Sequence, residues 1–567
     1  MTASPTGPAP DRGEQIRRLR NDSFDLGVIG GGINGAAVAR DAAMRGLKVA
    51  LIDRGDFACA TSSRSSKLIH GGLRYLPQGQ LRLVYHALRE RERIRCVTAP
   101  HLVHPIRFLF PFYRDRRPGR LAISAGLILY DLFARTPAAE RHRRLGPNDA
   151  CALEPALLRE GLTGAALYYD AAGDDARITL ENVLDAVYHG AAAANYVTLE
   201  SFSRTGSRIT AAAVRDLEGE TPAFEIRARV FVNAAGPWAD DVRRMDDLHC
   251  APSIRLSKGV HLVIDRARLP LRNPLALAGR DGRIVFAIPY DGCVLVGTTD
   301  TDFDGDRDHV AADPSEISYL TSFLAESLRD LRLIPGDVSY SFAGLRALVT
   351  SPDKTKPSFV PREEIILESP AGLLTVAGGK LTTHRAIAEK VVNRVLRSLG
   401  RPVGNCPTLA APLPGARPCA QPIVGAEMPE LAPEMSRILT DRYGTRAALV
   451  RKIIAEQPAL AAPLAFGAPA IGAEVIHAAR HEMARSVADF IARRVAMVWR
   501  APDAVRAAAP AVARLMAAEL GWDRAREDAE LDAFFRCASP GHSDHAGLAS
   551  SAGAPYADAV RPQTGPR

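Results

Sequence analysis

The chain has 567 residues, 47% of them hydrophobic and 24% charged. These are ordinary globular values, and at about 100–200 residues per domain they leave room for roughly three or four domains with sizeable cores. Its 72 basic and 64 acidic residues give a formal net charge of +8, which suits a phosphorylated small molecule, an anionic membrane surface or nucleic acid, and equally a solvated surface with arginine to spare. Eight scattered cysteines without a C-x-x-C pair exclude zinc and iron–sulfur spacings, fit a reducing cytoplasm and leave no metal site expected.

The first 22 residues are rich in Pro, Gly and Arg. They lack an apolar signal-type run and read as a disordered lead. Asp25–Gly30 (DLGVIG) reads as a short buried strand closed by glycine, NGAAVARDAAMRG as a helix with a small-residue face, and Lys48–Asp53 (KVALID) as a second strand. That order predicts a right-handed βαβ unit with parallel pairing. The turn Gly30-Gly31-Gly32-Ile33-Asn34-Gly35 contains G-x-G-x-x-G. Gly30 permits the tight turn, Gly32 the close approach of a pyrophosphate, and Gly35 the packing of helix on sheet, while the helix N-terminus offers N–H groups to phosphate. Asp53, about 20 residues on, stands where adenosine ribose hydroxyls need an acceptor. A glycine-rich turn without nucleotide is the competing reading of the motif alone.

Leu121–Ala134, interrupted by Asp131, is the longest apolar stretch and is too short to span a bilayer, which takes about 20 residues. The surrounding segment 107–135 mixes Phe108, Phe110, Phe112, Tyr130 and Phe133 with Arg114, Arg116, Arg117 and Arg120. That mixture suits an anionic membrane interface, and equally a buried helix flanked by a charged loop. Val230–Gly236 (VFVNAAG), followed by Pro237 and Trp238, is placed like the returning strand of a large FAD domain. Val260–Ile264, Arg283–Ile288 and Cys293–Gly297 predict a more antiparallel sheet, the last two as a hairpin across Pro289–Gly292. Leu373–Ala377 is a buried strand that passes through Gly378 and Gly379 into a helix with Ile387, Val391, Val392, Val395 and Leu396 on one face. Residues 401–425, rich in Pro and Gly, read as a linker. Residues 426–540 read as a helical domain, with Ile476, Ala479, Met483, Val487, Phe490 and Ile491 at amphipathic spacing, and 541–567 as a disordered tail. The expected fold class is α/β: a Rossmann-like FAD-binding domain over 23–400, interleaved with a mixed or antiparallel substrate sheet at about 250–345, plus the C-terminal helices.

Ala60–Tyr75 (ATSSRSSKLIHGGLRY), with GGGINGAAVARDAAMRGLKVALIDRGDFACATSS overlapping and preceding it, resembles the FAD-dependent, aerobic glycerol-3-phosphate dehydrogenases of the D-amino-acid-oxidase-like flavoprotein group. So do NAAGPWA from Asn233, KGVHLVI from Lys258, GTTDTD from Gly297, GLRAL from Gly344 and GGKLTTHR from Gly378, all in the family's order. RYGT at Arg442 and HEMARSVADFIARR at His481 are similar to the family's helical cap. Asp53 stands where many relatives carry Glu, and either carboxylate can accept from ribose hydroxyls. The resemblance implies that non-covalent FAD oxidises sn-glycerol 3-phosphate to dihydroxyacetone phosphate and that the electrons pass to quinone. Oxygen as acceptor is the nearest alternative.

The resemblance assigns Arg74, Arg346 and Lys380 to the substrate site, with Tyr75 beside Arg74 and Arg362 (in VPREE) as a further cation. Arginine forks and lysine point charges are what a phosphate dianion needs. His261, in VHLVI, is the candidate proton acceptor because imidazole titrates near neutrality; a satisfied core histidine is the competing reading. Arg346 and Lys380 share the catalytic assignment. His70 is read as nearer the flavin ring, with Gly71 and Gly72 allowing close backbone approach. Thr61, Ser62, Ser65, Ser66 and Lys67 form a hydroxyl-rich loop suited to the flavin's phosphate and ring edge. Gly236 ends the returning strand. Gly378, Gly379, Leu381 and Thr382 offer backbone N–H groups to charge developing near flavin N1 and O2. The expected partners are sn-glycerol 3-phosphate, a quinone and the inner face of the cytoplasmic membrane, and a homodimer is left open. An FAD-dependent protein acting on nucleic acid is the rival from another class. Nucleic acid is not expected, because the basic runs lack interleaved aromatics.

Overall fold

The computed structural model describes residues 11–76, 79–116, 119–219, 222–350, 364–418 and 431–538. The first of these form helix α1 (Arg12–Asn21), which corrects the expectation of a disordered lead. Asp11 caps the helix through the Glu14 amide, and Gln15, Ile16 and Leu19 turn one face inward. β1 (Ser23–Ile29), α2 (Ile33–Met44) and β2 (Val49–Ile52) form the expected βαβ unit with parallel pairing.

Next come β3 (Leu68–Ile69), α3 (Leu81–Arg93), β4 (Val103–Tyr113), α4 (Arg120–Ala134), β5 (Arg143–Leu145), α5 (Pro147–Leu153), β6 (Leu162–Gly173) and α6 (Asp175–Tyr188). The chain returns through β7 (Ala192–Ala194), β8 (Val197–Thr205), β9 (Arg208–Asp216), β10 (Phe224–Asn233) and α7 (Ala239–Asp246). It then makes β11 (Ile254–Asp265), β12 (Leu275–Ala278), β13 (Ile284–Pro289), β14 (Cys293–Gly297), β15 (Thr301–Asp302), α8 (Pro314–Ala325) and β16 (Val338–Val349). β17 (Glu364–Glu368), β18 (Leu373–Gly378) and α9 (His384–Ser398) complete this part.

The first sheet runs β17-β18-β10-β1-β2-β7, with β9 on β10 and β8 on β9. β18, β10, β1, β2 and β7 are parallel neighbours. Their Ala- and Val-rich strands are covered on one face by α2, α6 and α9 and on the other by α1, α7 and the β8–β9 ribbon. The second sheet runs β15-β11-β14-β13-β12-β4-β6-β3, with β16 on β11 and β5 on β6. It is antiparallel except for the β12–β4 pair. The predicted hairpin is β13–β14. This sheet extends beyond the expected 250–345: residues 68–173 supply β3 to β6. Phe108, Phe110 and Phe112, read as interface aromatics, are buried on β4, and Tyr130 of α4 is buried with them. Arg116 is also buried, donating to the Ala278 and Glu326 carbonyls and to Ser327.

Residues 401–418 are fastened rather than loose. Arg40 donates to the Ala411 and Pro412 carbonyls, Arg417 pairs with Asp185, and the Gly415 amide donates to Glu181. The C-terminal helices are α10 (Pro433–Tyr443), α11 (Ala447–Glu456), α12 (Gly472–His481), α13 (Met497–Arg500), α14 (Pro502–Leu520) and α15 (Arg524–Ala538). The single amphipathic helix expected over 476–491 is broken after α12. Met483 has φ +54, and Glu482 is turned inward onto Arg177 and Arg446. These helices pack against Val263, Leu295 and Phe342 of the second sheet. They are also tied to the first sheet's domain by buried charge: Asp56 accepts from Arg493, Arg494 and Asn195. Burial raises the Asp56 pKa, but the Arg494 and Arg493 charges outweigh it and hold the carboxyl at about 2.

Candidate active site

At the end of β1, Gly30 has φ +107, a conformation that favours glycine. A Cβ on Gly35 would overlap the Gly30 carbonyl oxygen, so the first turn of α2 lies directly on the strand end. Gly32 differs, because its Cβ would meet only Ser62 Oγ, at 3.2 Å. The protein's own packing leaves that side of the backbone open, as a pyrophosphate cradle requires. The amides of Asn34 and Gly35 have no acceptor among the described residues. Asp53, at the end of β2, accepts from the Gly31 amide at 2.6 Å and the Gly55 amide at 2.9 Å. Burial lifts its pKa to about 6 against the pull of those bonds and of Arg54. Arg54 in turn stacks 4.2 Å over Trp238, beside the Gly236–Trp238 turn that closes β10. The sequence reading missed that pair because it joins segments far apart. These features fit a dinucleotide whose ribose and pyrophosphate lie across the ends of β1 and β2.

The hydroxyl-rich loop is more committed to the protein than its composition suggested. Ser62 Oγ accepts from the Ile33 amide at 2.9 Å, Thr61 donates to the Leu345 carbonyl at 2.6 Å, and Asn34 donates to the Gly378 carbonyl at 3.3 Å. The Lys67 side chain is likewise engaged within the protein. Its buried ammonium pairs with Asp175 at 2.7 Å and lies over the rings of Phe342 and Trp499.

The second sheet presents the reactive groups. Register places His261 of β11 opposite Gly297 of β14 and opposite Phe342 of β16. The imidazole occupies the space a Cβ on Gly297 would fill, and it stacks on Phe342 at 4.9 Å between centroids. Two residues earlier, on the same strand face, a Cβ on Gly259 would overlap the Arg346 guanidinium. Two glycines therefore make adjacent berths, one for a cation and one for an imidazole. Arg346 donates from Nη2 to Thr298 Oγ1 at 2.9 Å and from Nη1 to the Thr299 carbonyl and Asp300, each at 3.2 Å. Asp300 also accepts from Ser257. His261 is 2% exposed. Burial first, then Arg346 and Lys67, push its pKa well below the ordinary histidine range, so it stands neutral.

Just past β3 of the same sheet, His70 meets Phe286 of β13 edge-on at 6.5 Å, and the His70 amide donates to Thr382 Oγ1 at 3.2 Å. Phe286 is itself opposite Gly297, which links the His70 turn to the His261 berth. Gly71 is set from below: its amide donates to Tyr130 at 2.9 Å, and Tyr130 donates to Asp170, whose partner is Arg91. That buried trio was not legible in the sequence. Lys380 lies 3.8 Å over the Tyr75 ring. Gly378 and Gly379 have positive φ, and they turn β18 into the helical turn Leu381–Thr383 ahead of α9. Arg74 belongs to the turn Leu73–Tyr75; Arg362 lies outside the described residues. Among the described residues no cluster of His, Cys, Asp and Glu could hold a metal ion.

A nucleotide cradle at the carboxyl ends of parallel strands, with a second sheet carrying an imidazole and an arginine, defines a two-sheet flavoprotein oxidoreductase. Residues 25–394 match the FAD dependent oxidoreductase family, and residues 406–527 match the C-terminal domain of alpha-glycerophosphate oxidase. The chain is 36% identical over 533 residues, 93% of its length and 90% of the relative's, to glycerol-3-phosphate dehydrogenase 2 of Mycobacterium tuberculosis. It is 33% identical over 530 residues, 90% of its length and 94% of the relative's, to aerobic glycerol-3-phosphate dehydrogenase of Staphylococcus haemolyticus. The crystal structure of the Bacillus halodurans glycerol-3-phosphate dehydrogenase complexed with FAD superposes with a TM-score of 0.75 at 29% identity, covering 94% of this chain and 98% of that one. The chain belongs to the aerobic glycerol-3-phosphate dehydrogenase family of FAD-dependent oxidoreductases, and its cofactor is FAD.

Proposed function

We propose that this enzyme oxidises sn-glycerol 3-phosphate at C2 to dihydroxyacetone phosphate and passes the electrons to a quinone. The observation that carries the reading is the pair of glycine berths that seat Arg346 beside the neutral imidazole of His261. Flavin, when bound, supplies the hydride acceptor. Arg346, with Lys380, Tyr75 and Arg74, holds the phosphate and orients the substrate, and His261 receives the hydroxyl proton. Arg346 also supplies the coupling between binding and chemistry. Its charge helps to keep His261 unprotonated, and a bound phosphate dianion offsets that charge, so the imidazole becomes a better base when substrate is present. The test is anaerobic bleaching of the bound flavin with glycerol 3-phosphate and with glycerol. Bleaching by the phosphorylated compound alone is expected, and equal bleaching by both refutes the assignment. Reoxidation by a quinone analogue against oxygen separates a dehydrogenase from an oxidase. The oxidase reading draws its support from the C-terminal family match.

The same proposal places the enzyme on a membrane surface. No helix among the described residues is long and apolar enough to cross a membrane. Support comes instead from α4, whose outward side shows Leu121, Ile128 and Leu132 at 84%, 53% and 68% exposure, next to Leu81 and Tyr85 of α3. Arg82 of α3, Arg120 at the start of α4 and Arg135 just past its end are exposed as well. Such a face suits the boundary of an anionic leaflet. Ile128→Glu with Leu132→Glu should abolish co-sedimentation with anionic vesicles at low ionic strength, and wild-type protein that stays in the supernatant refutes this placement.

A further inference from the structure

The site has a feature that placing His261 as the base leaves unexplained. The imidazole is almost wholly enclosed, and its Nε2 is already engaged, 2.8 Å from Ser66 Oγ. Its Nδ1 is buried and has no hydrogen-bond partner among the described residues. A substrate hydroxyl on the open side therefore has no direct line to either ring nitrogen. Ser66, by contrast, is partly exposed. It stands between the enclosed ring and the accessible space.

Ser66 is also held on both flanks by a single carboxylate. Asp175, at the start of α6, accepts from the Ser65 amide at 3.1 Å and the Ser65 hydroxyl at 2.6 Å. It also accepts from Lys67 Nζ at 2.7 Å, and the same ammonium donates to the Ser63 carbonyl at 2.5 Å. Phe342, which stacks on His261, lies on the other side of Lys67. A hydroxyl fixed this firmly against an imidazole nitrogen is pre-positioned for proton transfer, which demands hydrogen-bond reach.

We propose that Ser66 is a proton-relaying catalytic residue that contacts the substrate hydroxyl, with His261 as the terminal acceptor. This rests on the reading of the reaction as oxidation of a secondary alcohol. The C2–H bond breaks and its electron pair leaves as hydride for the flavin. The C2–O bond becomes a carbonyl, the hydroxyl proton goes to Ser66 Oγ, and the proton of Ser66 goes to His261 Nε2. The relay requires the tautomer in which Nδ1 carries the hydrogen and Nε2 accepts.

The experiment compares wild type, Ser66→Ala, Ser66→Thr and His261→Gln as FAD-loaded enzymes, with ¹⁵N-labelled histidine for magnetic resonance. Anaerobic flavin reduction by glycerol 3-phosphate should slow about 100-fold in Ser66→Ala, within the usual range for lost general acid–base catalysis. Calorimetric affinity for glycerol 3-phosphate should change little, and Ser66→Thr should recover most of the rate. The resonance lost in His261→Gln should show an accepting Nε2 in wild type. An Nε2–H tautomer overturns the relay, as does Ser66→Ala reducing its flavin at the wild-type rate while His261→Gln is slow. Should Ser66→Ala fail to hold FAD, the wild-type tautomer decides. Wild-type flavin that glycerol 3-phosphate does not bleach refutes the proposed reaction itself, an outcome distinct from failure of the relay.

Discussion

Arg346→Ala should cost the enzyme its preference for a phosphorylated substrate. The guanidinium is held by Thr298, Thr299 and Asp300 with its side chain 20% exposed, so little ordering remains when an anion arrives. Asp300 is the acidic partner close to it, at 3.2 Å. Glycerol 3-phosphate is small, and most of its binding energy must come from the phosphate. A charge-assisted hydrogen bond contributes about 1.5–3 kcal/mol, so losing one should lower kcat/KM by about 10- to 150-fold. Arg346→Lys keeps the charge but loses the fork and should fall between the two. FAD content should be unchanged, because the nucleotide cradle at Gly30–Gly35 is elsewhere. The assay is steady-state reduction of a soluble quinone analogue with glycerol 3-phosphate and with glycerol. If Arg346→Ala keeps both its rate and its phosphate preference, Arg346 does not bind the substrate phosphate.

Three further outcomes follow from the geometry. Gly35→Ala places a methyl group on the Gly30 carbonyl and should yield protein without bound flavin; a fully flavinated variant, read from absorbance, contradicts the strand–helix packing described. With Asp53 proposed as the acceptor for the ribose hydroxyls and its pKa in the free protein raised to about 6, FAD affinity should be level above about pH 6 and fall about tenfold per unit below it. Asp53→Asn should flatten that profile, and a pH-independent wild-type Kd rules the contact out. Asp56→Ala should cost about 3–5 kcal/mol by leaving buried Arg494 without its ion pair and Arg493 with Asp489 alone. With its pKa depressed to about 2 in the fold, the Asp56 contribution is present above the unfolded value near 4 and is lost as pH falls through about 2. Melting curves of wild type and variant that differ equally at every pH within that window contradict this.

What could be read in the sequence was local. The βαβ unit, the β13–β14 hairpin and α9 each carry their signal within about 15 to 30 consecutive residues, where periodicity and glycine placement suffice. α1 was missed because RGEQIRRLRN offers only Ile16 and Leu19 to the core, and its charges resemble a solvated tail. β4 was not singled out as a strand because Phe108, Phe110 and Phe112 followed closely by Arg114, Arg116, Arg117 and Arg120 fit a membrane interface as well as a strand between two others. The roles of Gly259 and Gly297 depend on which side chain from another strand enters the space, a question of register that no single segment answers. The contacts of Lys67 were hidden for the same reason, since its partners Asp175, Phe342 and Trp499 lie about 100 to 430 residues further along the chain.

Arg493, which closes on Asp56, follows it by 437 residues. At a synthesis rate of about 5–20 residues per second, roughly 20–90 s separate their emergence from the ribosome. For that interval a nascent chain holds a carboxylate destined for burial, three positions past Asp53, with neither of its guanidinium partners yet made. The second sheet meanwhile displays the apolar surface that α12 to α14 will cover. A ribosome that stalls near residue 490 leaves a chain with most of its cofactor cradle but without the charges that hold the cradle's outer loop, and such a chain is a natural client for chaperones or proteases.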